Sequence, residues 1–223
     1  NLENLFRTLD EAISEGIADV LVNFWDRVFL GSRVLKISEK DFNAFASPAF
    51  PPVGIINAQG ISLEKHLLKK KKDALKKLQV APKFGRGVVS FELTPGTDPN
   101  VLLGFITAGG ISALILKSLG EGNICNEGQY NLIPVIKQTS EEYVTPMFIT
   151  TKFVAGGSGL GHYETGYEAI KAGGIPCYDH TDVAVDVKVR WLIGNGICQT
   201  IDDYKVAMQT NFCGEVTPQT KNQ

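Results

Sequence analysis

The chain has 223 residues, of which 43% are hydrophobic, 21% charged and 9% aromatic, a composition that excludes disordered, collagen-like and coiled-coil chains. Twenty-two basic and twenty-four acidic residues leave a formal charge of −2, so no global field draws the chain toward nucleic acid. The length suffices for one large core, and a single domain over 1–223 is expected, helix-rich over 1–80, strand-rich over 81–215 and ending in a short tail at 216–223.

From 2 to 28 the apolar residues Leu2, Leu5, Phe6, Leu9, Ile13, Ile17, Val20, Leu21, Phe24, Trp25 and Val28 recur three and four apart, which predicts one long amphipathic helix seeking a core. Its other side is acidic. A short strand follows at 33–37, and Ser38 with Asp41 caps a brief helix to Phe45. A second helix is expected over 62–79, with Leu63, Leu67, Ala74, Leu75 and Leu78 as its apolar arc. Residues 62–86 hold nine basic residues against two acidic ones, a local charge of +7 that leaves −9 for the rest. Such asymmetry fits contact with an anionic surface, or a solvated face that answers the acidic first helix.

Residues 88–93 alternate as a strand, and Thr94-Pro95-Gly96 with Asp98-Pro99 closes it with turn chemistry. The run 101–119 is mainly apolar, holds a single charge, Lys117, and carries Gly109-Gly110 near its centre. It reads as a buried helix, a hairpin, or a segment that enters lipid. Five strands are then expected at 130–137, 143–154, 162–170, 182–193 and 203–212, the alternation of Val183, Val185, Val187 and Val189 being the plainest. The predicted fold class is α+β, with N-terminal amphipathic helices packed on a mainly antiparallel, curved β-sheet.

Chemical signals are sparse. The glycines at 156–161 lack the spacing of a dinucleotide or Walker loop, and Ser158 lacks the second glycine of a nucleophile elbow. His162, Glu164, His180 and Asp182 make the best available metal set, weighed against ordinary turn chemistry. Cys125, Cys177, Cys198 and Cys213 lie too far apart in sequence for a zinc knuckle and read as two disulfides or as four buried thiols. With Asn1 in place of an initiator Met, the disulfide reading favours a processed, secreted protein.

The sequence therefore predicts a non-enzymatic protein that binds a lipid or other hydrophobic small molecule. Phe105, Ile106, Ile111, Leu114 and Trp191 are its expected ligand contacts. Lys69, Lys70, Lys71, Lys72, Lys76 and Lys77 are expected to meet an anionic membrane surface. Two alternatives stay open. One is a membrane-damaging, pore-forming protein that docks through 62–86 and inserts 101–119. The other is a self-assembling structural or coat subunit, a homo-oligomer joined through strand edges. Neither a catalytic residue, a metal ligand nor a cofactor is assigned, and nucleic acid is disfavoured as a partner.

Overall fold

The computed structural model describes residues 2–73, 80–153 and 164–218. Its contacts divide the chain into two compact units, Asn1–Val80 with Cys213–Glu215, and Ala81–Phe212 with Val216–Gln223, where the sequence reading treats 1–223 as one domain.

In the first unit the long N-terminal helix is cut short. Helix α1 spans Leu2–Ser14, and Gly16, at φ +61°, takes the left-handed turn that ends it. The apolar residues beyond it form a hairpin of β1 (Leu21–Phe24) and β2 (Arg27–Leu30), turned at Trp25 with φ +56°. Two-residue strands β3 (Leu35–Lys36) and β4 (Phe45–Ala46) pair with each other. Ser38 does cap a turn, accepting from the Lys40 and Asp41 amides, but no helix follows. Strands β5 (Gly54–Asn57) and β6 (Gly60–Leu63) complete an antiparallel sheet in the order β1-β2-β5-β6. Its core holds Val28, Leu30, Val53, Ile56, Leu63 and Leu68.

The predicted helix 62–79 is instead β6 followed by short 3-10 turns at Lys65–Leu67 and Lys71–Asp73. Lys70 bridges to Ile17. The acidic side of α1 answers this basic segment: Lys65 Nζ lies 2.7 Å from Glu15 and 3.7 Å from Glu11, and Lys70 Nζ 3.5 Å from Glu15. The Lys65 hydrogen bond, with the Lys70 charge added, holds the Glu15 carboxyl below its usual range. A carboxyl lowered on folding stabilises fully above its ordinary value of about 4.3 and loses that contribution as pH falls through the lowered value. Glu15→Gln should therefore lower the urea midpoint at pH 7 and lower it less as the pH is reduced below the ordinary carboxyl value, read from Trp25 fluorescence in a Trp191→Phe background.

Residues 213–215 are built into this unit. Arg33, only 2% exposed, donates from Nε to the Gly214 carbonyl at 2.5 Å and lies 4.6 Å over the Phe50 ring. Gly214 has φ +90°, and a Cβ there would meet Leu30 Cδ2 at 2.6 Å.

The second unit is built on a parallel sheet ordered β10-β9-β8-β7, with β7 Val88–Glu92, β8 Ala113–Ser118, β9 Met147–Thr151 and β10 Ile175–Pro176. The connections contain α2 (Pro99–Thr107), α3 (Ile133–Glu141) and α4 (Glu164–Lys171). Because spatial and sequence orders agree, the right-handed crossover rule places all three on one face. Helices α5 (Asp182–Gly194) and α6 (Ile201–Gln209) cover the other. Strand alternation feeds both cores. Leu114, Leu116, Met147 and Ile149 pack with Leu102, Ile106 and Ile136, while Ala113, Ile115 and Phe148 pack with Val185, Val189, Leu192 and Met208.

The fold is thus mixed α/β. The expected curved antiparallel sheet is corrected in this unit to a parallel one with helices on both faces. Three predicted strands fall on helices, α3, α5 and α6, and the described part of the predicted strand at 162–170 belongs to α4. The run 101–119 is the end of α2, a Gly109-Gly110 turn with both φ at +79°, and β8. No described helix is long and apolar enough to cross a membrane.

Candidate functional site

Open parallel sheets present ligands outside the carboxyl ends of their strands, where loops diverge and backbone groups remain available. In the second unit that edge carries a cleft of about 480 Å³ lined by Leu93, Thr94, Pro95, Thr97, Leu119, Asn123, Ile124, Cys125, Tyr130 and Leu132. One wall follows β7, where a tight turn is fixed by the Thr97 hydroxyl, which accepts from the Thr94 amide at 2.9 Å and lies 3.2 Å from the Thr94 hydroxyl. Asp98 then caps α2 by accepting from the Asn100 amide at 2.9 Å. The opposite wall follows β8. There the Leu119 amide donates to the Asn123 carbonyl at 3.1 Å, and the Leu132 amide to the Cys125 carbonyl at 2.9 Å, folding 119–132 back over the sheet edge.

The lining is mainly apolar, with hydroxyls, one carboxamide and one phenol placed to orient a small polar molecule. Among the described residues that line it there is no acid, imidazole or amine. The cleft can therefore hold and discriminate a ligand, while the Thr94 and Thr97 hydroxyls, engaged with each other and with a turn amide, brace its wall.

A polar constellation lies after β10. His180, 4% exposed, has Nδ1 2.6 Å from the Cys177 carbonyl and Nε2 3.1 Å from Lys188 Nζ. A carbonyl only accepts and an ammonium only donates, so the imidazole is the neutral Nδ1–H tautomer with both nitrogens engaged. Lys188, 5% exposed, also donates to the Thr210 carbonyl at 2.7 Å. Asp182 pairs with Lys117 at 2.7 Å. Among the described residues no cluster of three metal-ligating side chains occurs, and the side chains of His162 and Glu164, the other two members of the expected metal set, lie outside the described residues, as do the glycines at 156–161.

All four cysteines are free thiols, which corrects the disulfide reading and removes its support for export. Burial pushes the Cys177 thiol far up and, with Asp203 nearby, the Cys198 thiol to about 11, so both are protonated and unreactive at neutral pH. They serve as small apolar core residues.

The expected ligand contacts are not gathered around one cavity. Ile106 and Leu114 are buried in the α2–α4 core, with Phe105 and Ile111 packed against it. Trp191 packs on the other face, its indole donating to the Ala81 carbonyl at 3.0 Å. Of the expected membrane lysines, Lys70 is paired with Glu15, the Lys69 amide donates to Asp19, and Lys71 and Lys72 are exposed. Lys76 and Lys77 lie outside the described residues. Sequence reasoning missed Thr94, Thr97, Asn123 and Tyr130. The available signal was the pair of Gly-containing stretches, Thr-Pro-Gly-Thr and Gly-Glu-Gly-Asn, each directly following a strand-like run.

The model of the asparaginase N-terminal domain matches residues 1–69, and that of the glutaminase/asparaginase C-terminal domain matches 87–203. The chain is 31% identical to the L-asparaginase of Thermococcus kodakarensis over 91% of its own length and 58% of that protein's. It is 28% identical to a glutamyl-tRNA(Gln) amidotransferase subunit of Pyrococcus abyssi, over 86% of this chain and 42% of the relative. The structure of L-asparaginase I from Vibrio cholerae superposes with a TM-score of 0.82 at 27% identity, covering 97% of this chain and 62% of that one. The chain therefore spans less than two thirds of the proteins it resembles. These matches overturn the non-enzymatic, lipid-binding reading, together with its pore-forming and coat-subunit alternatives and its lipid and membrane partners.

Proposed function

The chain belongs to the glutaminase/asparaginase family, and on that premise we propose that it serves the hydrolysis of the side-chain amide of L-asparagine. In that reaction the carboxamide C–N bond breaks, a C–O bond to water forms, and aspartate and ammonia leave. The observation that carries the reading is the match to both family domains along one chain. Asparagine is put first because the L-asparaginase of Thermococcus kodakarensis is 31% identical over 91% of this chain, against 28% over 86% for the amidotransferase subunit of Pyrococcus abyssi. The cleft at the carboxyl edge contributes ligand orientation in this reading. Its carboxamide, Asn123, and its phenol, Tyr130, offer donors and acceptors to an amino-acid head group, with apolar walls excluding water.

Ammonia release from L-asparagine and L-glutamine by the purified protein tests this in a coupled assay. Turnover of asparagine well above glutamine is expected. Asn123→Leu, which keeps the branched shape of the side chain while removing its carboxamide, should raise KM at least tenfold, the usual penalty for leaving a polar substrate group unpaired. Release of ammonia from neither amino acid would overturn the reading.

A further inference from the structure

A carboxamide clamps the segment entering the second unit to the C-terminal end of α5. Asn195, the residue that ends the helix, donates from Nδ2 to the Lys83 carbonyl at 2.8 Å and to the Trp191 carbonyl at 2.9 Å. Its Oδ1 accepts from the Lys83 amide at 3.4 Å. A carboxamide both donates and accepts, which is what gripping a peptide chain requires. The next residue, Gly196, is exposed, takes φ +62°, and donates its amide to the Ile193 carbonyl at 3.1 Å. It closes the last turn in the left-handed geometry that glycine adopts without steric cost. Clamp and cap together set Asn195 directly before a glycine, the one Asn-Gly pair in the chain.

An asparagine followed by glycine is poorly protected against attack on its own side chain, because no Cβ hinders approach of the following backbone nitrogen. We propose that Asn195 is a site of spontaneous deamidation, guarded by the clamp and converted to a carboxylate when segment 81–85 opens. In the reaction the Gly196 nitrogen loses its proton and attacks Asn195 Cγ. A C–N bond forms, and the side-chain nitrogen departs with that proton as ammonia. Water then opens the cyclic imide at one of its two carbonyl carbons, leaving aspartate or, with the chain rerouted through Cγ, isoaspartate. In the closed state both reactants are occupied, the Gly196 N–H by Ile193 and the carboxamide by Lys83 and Trp191. Conversion also opposes reclosure. A carboxylate only accepts, so the Lys83 and Trp191 carbonyls lose their donor, and the new charge sits at the negative end of the α5 dipole. None of these steps involves the cleft at the sheet edge.

The test ages the full chain in mildly alkaline buffer, native and in urea, and follows Asn195 by peptide mass spectrometry with enzymatic methylation of isoaspartate. Conversion at least tenfold slower in the native chain is expected, because reaction is confined to the locally opened fraction. Asn195→Asp, with its fold checked by circular dichroism, should be cut by trypsin after Lys83 and Arg86 at least tenfold faster than the parent. Aged parent protein supplies the same readout without a substitution: after brief trypsin treatment, converted Asn195 should be concentrated in the molecules cut after Lys83 or Arg86. Equal conversion in the native and unfolded chain, or conversion in neither, overturns the proposal. So does an Asn195→Asp variant cut no faster than the parent, or an equal share of converted Asn195 in cut and uncut molecules.

Discussion

Lys188→Met is expected to destabilise the 81–212 unit by about 2 kcal/mol in urea unfolding followed by Trp191 fluorescence, with Trp25 replaced by Phe. Methionine nearly conserves the buried volume, so the packing loss is small. What disappears is a donor: the Thr210 carbonyl, 2.7 Å away, and His180 Nε2, 3.1 Å away, both lose the ammonium. The buried His180 acceptor deprived of a partner costs about 1–3 kcal/mol, and the part-buried Thr210 carbonyl, on an exposed residue, costs less. Relief from burying a charge works in the opposite direction and keeps the net below the sum of the two. The Phe212 ring, 5.1 Å from the ammonium, loses a cation–π contact of about 1 kcal/mol as well. His180→Leu alone should also destabilise, and the double variant should cost less than the two single ones added, with a coupling of about 1 kcal/mol or more. A Lys188→Met variant within about 0.5 kcal/mol of the parent, the range of an ordinary surface substitution, would show that α5 and the Cys177–His180 loop are held by apolar packing alone.

That network also shows why the second unit was hard to read from sequence. Val183, Val185, Val187 and Val189 alternate like a strand, yet Val185, Lys188, Val189 and Leu192 are the buried set, which is helical spacing. Val183 and Val187 face outward at 56% and 48% exposure. The deciding local signals were the caps: Thr181 accepts from the Ala184 amide, and Thr200 with Asp203 forms a reciprocal capping box. Propensity favoured β for a valine-rich stretch, and tertiary burial overrode it. Strand β7 was legible, because its alternation and its Thr-Pro-Gly ending agree. Its parallel pairing was not, since Val88↔Ala113 and Leu114↔Met147 join residues far apart in sequence.

The cleft shares that fate. Thr94 and Thr97 announce a turn, and only the pairing of β7 with β8 makes that turn the wall of a site opposite Asn123. In α1 the periodicity identified the helix and its apolar stripe, but the direction of burial was inverted, because local pattern cannot tell which neighbour covers a face.

Gly194→Ala should be strongly destabilising, costing about 3 kcal/mol. The segment entering the second unit runs against the end of α5. The Gly85 amide donates to the Arg190 carbonyl at 2.7 Å, the Asn195 side chain donates to the Lys83 carbonyl at 2.8 Å, and the Trp191 indole donates to Ala81. A Cβ on Gly194 would sit 2.6 Å from the Gly85 nitrogen and 2.7 Å from the Lys83 carbonyl carbon. These are backbone atoms that no rotamer change can remove, so the segment itself must shift. Overpacking of that kind costs about 1–3 kcal/mol, and each hydrogen bond broken by the shift adds about 1. Against this, alanine gains about 1 kcal/mol over glycine in a helix, too little to compensate.

Gly104→Ala in α2 isolates that gain, because a Cβ there meets nothing within 4 Å. It should stabilise the unit by up to about 1 kcal/mol. The segment also contains Lys83 and Arg86, so trypsin reports its release directly. Cleavage there should quicken at least tenfold in Gly194→Ala and not in Gly104→Ala, since local opening of a strapped segment controls its access. Equal cleavage rates in the two variants would mean that the segment is held elsewhere than along α5.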